Sequence, residues 1–382
     1  MAHAQEITSL AQAIEFVRGE FERHPERNGL DARMAAHAGR RRRWPALYLQ
    51  HLGMPGDRAD VPPYYVLPQV RMPDTPEGLL ARDLVGLLAP LDMLNPISPA
   101  LGLGRGTGTM VAAFGIPLDP QAGYAPACTR PLDELLHAAP PDAARAGLMP
   151  EMLARIDLLK AHLPPCFKIG LPDMQGPYNI AHAVVGEDAL VGPYLDPEGF
   201  CLLMERVTDH WIASRRLLLE LIGPDYLLPW DRAPHIAECS VNLVSPATYI
   251  QHILPHDQRI ARELGAPRIH TCSGPHVFRA TLENLPLVET ECGRIPCATA
   301  GYTPVADAFA AVKGKPILLN IGQELPADSE AAYEIMRADL DLYAEHPRLM
   351  FGYTGMEWRM ADRPAIRALH RRLDEYWAAR YA

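Results

Sequence analysis

The sequence lacks the features that mark membrane and nucleic-acid-binding proteins. No stretch of its 382 residues approaches the roughly 18 consecutive apolar residues that a membrane helix needs. Residues Met1–Glu6 show no charged-then-apolar pattern, so no export signal is expected. Basic charge is concentrated only in the run Arg40–Arg43, which suits a solvated turn or, alternatively, an anion site. With a formal net charge of −10 spread along the chain, neither nucleic acid nor membrane is expected as a partner.

The sequence also lacks an even number of cysteines: its seven cysteines cannot all be paired with one another in disulfides. In a large chain this argues for reduced thiols and a cytoplasmic location, where a cysteine serves as core residue, metal ligand or nucleophile. The 38 prolines are scattered at the edges of elements rather than gathered in one tract. They indicate many short loops and no linker.

Short apolar runs alternate with helical patterns along most of the chain, which is typical of parallel strand–helix units. We therefore predict an α/β fold, a (β/α)8 TIM-type barrel with an N-terminal helical extension. The extension would cover residues 1–60 and the barrel residues 61–382, as one structural domain overall. At least one strand is expected between Val61 and Ala113. Seven further strands are predicted near Leu91–Ile97, Phe167–Leu171, His235–Val241, Arg268–Cys272, Leu287–Glu291, Ile317–Ile321 and Leu349–Tyr353.

Three helices carry clear local signals. Apolar residues at spacings of three and four between Ile7 and Phe21 predict an amphipathic helix. Asp196-Pro197-Glu198 combines an N-cap, a proline at the first helical position and an acid in the first turn, and Gly223 supplies a stop. Ser245-Pro246 repeats the start signal. In that third helix Pro255 should cause a break or kink, and Gly265 should end the continuation.

The strongest candidate for chemistry is the pair His270 and Cys272. If Arg268–Cys272 is a strand, both side chains point to one face, at the carboxyl end where barrel enzymes place their active sites. Imidazole nitrogen and thiolate sulfur suit Zn²⁺, and a catalytic zinc needs only three protein ligands. We favour Glu291 as the third metal ligand, with Cys292 as the close alternative. The pair Glu238 and Cys239, at the end of the preceding strand, is also within plausible reach. The main rival hypothesis is that His270 only hydrogen-bonds a substrate carboxylate.

Other candidates are expected to contact the substrate or a cofactor. Asp173 and Gln175 precede a Gly-Pro turn at a predicted strand end, a position for either substrate contact or a helix cap. Tyr178 suits ligand stacking or a place in the core, and Glu238 is a candidate catalytic acid. In the Gly-rich stretch 102–108, Arg105 is a candidate anion contact, although the glycines equally suit a loop with unusual backbone angles. Glu357 could line the pocket after the last predicted strand.

Three stretches resemble the uroporphyrinogen decarboxylase superfamily. They are the glycine-rich segment Leu103–Gly115, the Gly-Pro segment Pro172–Ala181 with the Asp196 helix start after it, and the segment Leu243–Gly274 with its His-x-Cys pair. The resemblance implies a barrel and one of two chemistries. One is decarboxylation of uroporphyrinogen without a cofactor, and the other is zinc-dependent methyl transfer between a corrinoid protein and a thiol.

The sequence departs from both branches of that superfamily. The arginine-rich N-terminal segment typical of the decarboxylases is missing, with Tyr48–Gln50 at best a remnant. The late cysteine typical of the methyltransferases is missing from Leu349–Trp358.

Of the two chemistries, the His270-x-Cys272 pair favours the methyltransferase, with zinc bound by the chain and a corrinoid supplied by a partner protein. The first alternative is a cofactor-free decarboxylase of uroporphyrinogen or another carboxylate-rich compound. The second is a non-catalytic tetrapyrrole- or corrinoid-binding protein. Because dimers are common in the superfamily, a homodimer is a further expectation of the resemblance.

Overall fold

A computed structural model of the chain describes residues 6–40, 47–50, 65–104, 106–121, 124–272, 274–293, 303–354 and 363–381. The fold is mixed α/β with parallel strands. It divides into two compact units, one formed by Met1–Leu101 with Gly314–Ala382 and the other by Gly102–Lys313.

The described strands, in chain order, are β1 (Glu6–Ile7), β2 (Leu47–Gln50), β3 (Gln69–Val70), β4 (Ala100–Gly102), β5 (Leu118–Asp119), β6 (Ala125–Pro126), β7 (Lys168–Gly170), β8 (His235–Ala237), β9 (Arg268–His270), β10 (Glu289–Gly293), β11 (Leu318–Glu324) and β12 (Leu349–Thr354). The described α-helices are α1 (Leu10–Arg23), α2 (Gly29–His37), α3 (Pro76–Gly86), α4 (Leu132–His137), α5 (Met149–His162), α6 (Pro177–Val185), α7 (Asp188–Leu195), α8 (Pro197–Ile222), α9 (Pro246–Thr248), α10 (Leu254–Leu264), α11 (Pro275–Asn284), α12 (Val305–Val312), α13 (Ser329–Glu345) and α14 (Arg363–Tyr381).

In the unit that contains both chain ends, β2, β12 and β11 are neighbouring parallel strands of a sheet, with β12 between the other two. β1 and β2 lie inside the stretch for which the sequence predicted only a helical extension, so residues 1–60 also supply two strands. α2 covers this sheet through a small apolar cluster of Ala32, Ala36, Leu318 and Met350. Small alanines on the helix allow close packing against the sheet.

In the unit Gly102–Lys313, β8, β9 and β10 are neighbouring parallel strands with β9 in the middle. His235 and Glu289 both stand in register with Arg268, at the start of β9. The carboxyl ends of the three strands therefore lie side by side. This edge is the place where such sheets present functional side chains.

The long helix α8 begins and ends as its sequence predicted. Asp196 Oδ1 accepts a hydrogen bond from Gly199 N at 3.0 Å, which satisfies a free amide of the first turn. Gly223 follows its last residue with φ 74°, in the left-handed region that favours glycine. The apolar face of the helix, centred on Trp211, is fully buried. Amphipathic periodicity and caps together fix this element.

The kink expected at Pro255 takes the form of a π-helical turn. Ser245 caps α9, its Oγ accepting from Thr248 N, and the backbone then widens into a π-turn over Tyr249–Ile253 before α10 begins. Proline has no N–H to donate and its ring clashes with the preceding turn, so the helix must widen or bend there. Gly265 ends α10, as predicted.

Three strand predictions differ from the structure, and the last two concern strands that carry the site. Residues Ala89–Met93 form a 3₁₀ turn where a strand near Leu91–Ile97 was expected. β8 ends at Ala237 and is followed by a 3₁₀ turn over Cys239–Leu243, so it is shorter than predicted. β9 ends at His270, two residues before Cys272. The parallel α/β character is confirmed, whereas closure into a barrel stays a prediction.

No described helix is both long enough and apolar enough to cross a membrane.

Candidate metal centre

Two thiols and an imidazole meet at the carboxyl ends of β8 and β9. The ligand atoms of Cys239, His270 and Cys272 all lie within 4.8 Å of one another. The two sulfur atoms are 2.9 Å apart, and Cys272 Sγ is 3.4 Å from His270 Nε2. This spacing is small enough for one ion to contact all three side chains.

Neighbouring parallel strands and two local turns produce this convergence. Glu238 N donates to His270 O at 2.7 Å, which ties the end of β8 to the end of β9. Cys239 then opens its 3₁₀ turn directly beside His270. Cys272 has φ 48°, a left-handed conformation that is uncommon for a residue with a side chain. A turn, and not the strand alternation expected from the sequence, therefore directs Cys272 toward His270.

The turn that carries Cys272 is held by two hydrogen bonds to one backbone oxygen. Asn242 Nδ2 donates to Thr271 O at 2.7 Å, and Gly274 N donates to the same oxygen at 3.1 Å. A Cβ at position 274 would stand 1.7 Å from Asn242 Oδ1, so any other residue there would displace the Asn242 side chain. Strained backbone held in this way is often found at functional sites.

Glu291 contacts the other nitrogen of the histidine and does not join the two thiols. Its Oε2 lies 2.5 Å from His270 Nδ1, and its Oε1 accepts from Thr271 N at 2.8 Å. The group of converging ligand atoms contains Cys239, which the sequence placed within reach, and not Glu291, which we favoured as the third ligand. Cys292, the alternative, is fully buried and follows Glu291 in β10, where successive side chains point to opposite faces.

The charges within the cluster favour a thiolate beside an imidazolium. The hydrogen bond with Cys239, and to a lesser degree His270, lowers the pKa of the Cys272 thiol to about 5. The same sulfur–sulfur contact raises the pKa of Cys239. Burial opposes charge on His270, but Glu291 and Cys272 raise its pKa well above the ordinary value. A thiolate is the form of cysteine that binds metals and attacks electrophiles.

A cavity of about 680 Å³ opens beside the cluster. Cys239 lies in its wall, and the neighbouring polar wall is formed by Gln175, Asn179, His182 and Ser240. The rest is lined by Thr107, Val111, Pro126–Thr129 and Ala183. None of the described residues in this wall is an Asp, Glu, Lys or Arg. The cavity therefore offers a substrate neutral polar groups and thiols.

Three of these polar residues form a chain of hydrogen bonds, Ser240 through its backbone N–H. Asn179 Nδ2 donates to Gln175 Oε1 at 2.6 Å, and Ser240 N donates to Asn179 Oδ1 at 2.6 Å. Gln175 has φ 55°, and its carbonyl oxygen accepts from Trp211 Nε1 at 2.9 Å. The predicted site residue Gln175 is thus held in a strained conformation at the cavity wall. Asp173, two residues earlier, is exposed, and its Oδ1 accepts from Gln175 N at 3.2 Å.

The structure gives Glu238 a structural role as a helix cap, and its catalytic role stays a prediction. This fully buried carboxylate accepts from Tyr178 N and Asn179 N, both at 2.9 Å. It thereby satisfies free amides in the first turn of α6, where a negative charge is favourable. A Cβ on Gly176 would lie 2.3 Å from Glu238 Cδ. The lack of a side chain at Gly176 therefore leaves room for this carboxylate to reach the helix.

Tyr178 likewise belongs to the core and cannot stack on a ligand. It is 0% exposed, and its hydroxyl donates to Ala189 O at 3.3 Å. In the Gly-rich stretch, a Cβ on Gly104 would lie 2.7 Å from Pro172 Cβ, so close packing accounts for that glycine. Arg105 and Glu357, the two expected cofactor contacts, lie outside the residues that the structure describes.

Sequence reasoning missed Asn179, His182 and Ser240. Asn179 and His182 are three residues apart on α6, a spacing that places them on one helix face. Ser240 follows Cys239, which the sequence had marked as within reach. A signal was therefore present in the polar residues next to the marked motifs, but one sequence could not show that they share a cavity.

The chain resembles a solved methyltransferase in fold. A methyltransferase from Methanosarcina mazei superposes with a TM-score of 0.54 at 15% sequence identity, covering 79% of this chain and 86% of that one. No family model and no curated protein sequence matches this chain. At this identity the similarity shows a shared fold.

Proposed function

We propose that this protein is a zinc-dependent methyltransferase that moves a methyl group between a corrinoid carrier and a thiol or similar small molecule. The observation that carries the proposal is the convergence of Cys239, His270 and Cys272 beside a cavity. The shared fold with a methyltransferase supports it. So does the resemblance of its motifs to the uroporphyrinogen decarboxylase superfamily, of which we propose the chain is a member.

The donor atoms suit zinc in kind and number. Zn²⁺ binds imidazole nitrogen and thiolate sulfur, and its catalytic sites combine three protein ligands with one open position. Because Cys239 borders the cavity, a substrate in the cavity would lie beside the residues that would hold the ion. Glu291, bonded to His270 Nδ1, matches the carboxylate that commonly orients a ligating histidine.

When bound, zinc would hold a substrate thiol as thiolate at neutral pH, the form that attacks a methyl group. The chain supplies the other requirements. Cys239, His270 and Cys272 would hold the ion, Glu291 would fix the ring of His270, and the wall of amides and hydroxyls would orient the substrate. The methyl group would come from a corrinoid carried by a partner protein, so the cobalt–carbon bond breaks and its electron pair stays on cobalt.

The neutral cavity wall disfavours the decarboxylase alternative. A carboxylate-rich compound such as uroporphyrinogen calls for several cationic partners, because buried charges must be paired. The described wall contributes amides, hydroxyls, an imidazole and thiols. Non-catalytic binding of a tetrapyrrole or corrinoid would not require the converging thiols of Cys239 and Cys272.

Metal content is the decisive first measurement. Full-length protein expressed with ample zinc should contain about one zinc per chain by mass spectrometry, the stoichiometry of a mononuclear site. Cys239→Ser, His270→Ala and Cys272→Ser should each lose it. Cys201→Ser is the matched control, because Cys201 is an exposed thiol on α8. A wild type without divalent metal would overturn the proposal.

Activity would then be tested with free methylcobalamin and a small neutral thiol. Methyl transfer changes the visible absorbance of the corrinoid, and it should depend on zinc. In parallel, incubation with uroporphyrinogen should release no CO₂. Release of CO₂ by metal-free protein would favour the decarboxylase instead, whereas spectral shifts without turnover would favour a binding protein.

A further inference from the structure

A histidine outside the proposed metal site borders the same cavity. His182 lies on α6, and its Nδ1 is 2.9 Å from Oγ of Ser240. Both residues line the cavity together with Cys239. An imidazole ring therefore stands beside the space in which a substrate of the metal centre would lie.

The ring of His182 is held in one orientation. It stacks on Tyr178, with the ring centroids 6.4 Å apart and the planes at 14°. Ser240 is itself anchored, since its backbone N–H donates to Asn179. A side chain fixed by packing and by an anchored hydrogen-bond partner has the preorganisation that catalysis needs.

The free nitrogen of this ring suits a proton acceptor. If Nδ1 donates to Ser240 Oγ, Nε2 carries the lone pair. Among the residues that the structure describes, nothing hydrogen-bonds to Nε2. Burial lowers the pKa of His182, so the ring is neutral near pH 7 and can accept a proton. The titratable groups around it include Tyr178 on α6, Cys128 and Cys239 in the cavity wall, and Glu238 beneath the start of α6.

We propose that His182 accepts, at Nε2, the proton that a substrate thiol loses on binding at the Cys239–His270–Cys272 cluster, and that Ser240 positions the ring. This inference rests on the proposed function. The S–H bond breaks, its electron pair stays on sulfur, an N–H bond forms at Nε2, and the proton then passes to water. In the reverse direction His182 returns a proton to the departing thiolate.

The test compares wild type, His182→Gln and Ser240→Ala, with His162→Gln as a matched control on the exposed face of α5. Each full-length protein is loaded with zinc and its metal content measured. Methyl transfer from methylcobalamin to 2-mercaptoethanol is followed against pH. Independently of turnover, cobalt(II) replaces zinc, and stopped-flow absorbance records how fast 2-mercaptoethanol binds through the sulfur-to-cobalt band.

In His182→Gln we expect unchanged zinc content, and both thiol binding and methyl transfer about 100-fold slower, the low end of general acid–base effects. The acidic limb of the pH–rate profile should disappear, and added imidazole should restore part of the rate in His182→Ala. Ser240→Ala should show a smaller loss, and His162→Gln none.

Each other outcome has a definite meaning. Wild-type rates and an intact acidic limb in His182→Gln would overturn the role of His182 alone. Loss of zinc in that variant would make His182 structural and also overturn it. A wild type that holds no metal and binds no thiol would overturn the proposed function together with this inference.

Discussion

Glu291 fixes the imidazole of His270 from the side opposite to the thiols: its Oε2 lies 2.5 Å from Nδ1, while Nε2 is 3.4 Å from Cys272 Sγ. The carboxylate thereby sets which nitrogen faces the cluster. It also accepts from Thr271 N, so it links the strand β10 to the turn that carries Cys272. One acidic side chain thus organises two of the three proposed ligands.

If Glu291 acts in this way, its loss should weaken the metal site without removing a ligand. We expect Glu291→Gln to lower zinc affinity by roughly 10- to 100-fold, the usual effect of changing such a supporting group. Competition with a chromogenic chelator measures this. Glu283→Gln, on the exposed face of α11, should leave the affinity unchanged. Equal affinities for wild type and Glu291→Gln would contradict the role.

Cys272 should react with alkylating agents at a pH where other thiols do not. Its pKa is lowered to about 5, and the reactive thiolate fraction rises as the pH passes through the pKa. In zinc-stripped protein at about pH 6.5, iodoacetamide should therefore label Cys272, since an unperturbed thiol with a pKa of ~8.5 is then almost wholly protonated.

Cys201 is the internal control for this labelling experiment, because it is more exposed but burial raises its pKa. Peptide mass spectrometry after short labelling distinguishes the two cysteines. His270→Ala should shift the labelling of Cys272 to higher pH, since the imidazolium helps to stabilise the thiolate. Labelling of Cys272 and Cys201 over the same pH range would argue against a thiolate in the cluster.

Asp257 should make the protein less stable as the pH rises. Burial raises its pKa from 3.8 to about 7, and the hydrogen bond from Tyr249 offsets this only in part. Between pH 3.8 and about pH 7, Asp257 keeps its proton in the folded protein and has lost it in the unfolded chain. Stability from this group is therefore complete below the unfolded pKa and is lost as the pH rises through the folded one.

Replacing Asp257 with asparagine removes this titration while keeping an acceptor for Tyr249. We expect the melting temperature of Asp257→Asn, relative to that of wild type, to rise as the pH increases from about 5 to about 8. Burial also raises the pKa of Glu238, so part of the pH dependence should remain. Asp225→Asn, at an exposed position, should follow wild type throughout. A constant difference between Asp257→Asn and wild type would refute the assignment.

Gly176 should tolerate no side chain. A Cβ there would lie 2.3 Å from Glu238 Cδ, so Gly176→Ala must displace the carboxylate that caps α6. Such overpacking typically costs about 1–3 kcal/mol, which urea unfolding should detect as a lower midpoint. Gly86→Ala is the matched control, because a Cβ at that position meets no atom within 4 Å among the described residues. A Gly176→Ala variant as stable as wild type would show that Glu238 can move freely.

Local chemistry in the sequence predicted much of the secondary structure. The cap at Asp196, the stop at Gly223 and the disruption at Pro255 depend on residues within a few positions of one another. For that reason α8, and the sequence from α9 to α10, could be predicted from a single sequence. The parallel character followed from alternating strand and helix patterns. Strand β2 carried too weak a local pattern to be predicted, and pairing with β12 gives it its place.

The sequence by itself determined the kinds of ligand available, because His270-x-Cys272 and the acids and thiols on flanking strands are visible without a structure. Only the tertiary structure decided their roles. The early end of β8 and the left-handed turn at Cys272 bring Cys239 to the cluster and leave Glu291 behind the histidine. These contacts join residues 21 and 33 positions apart. Strand register and turn geometry determine such contacts, and the spacing of residues within a motif predicts neither.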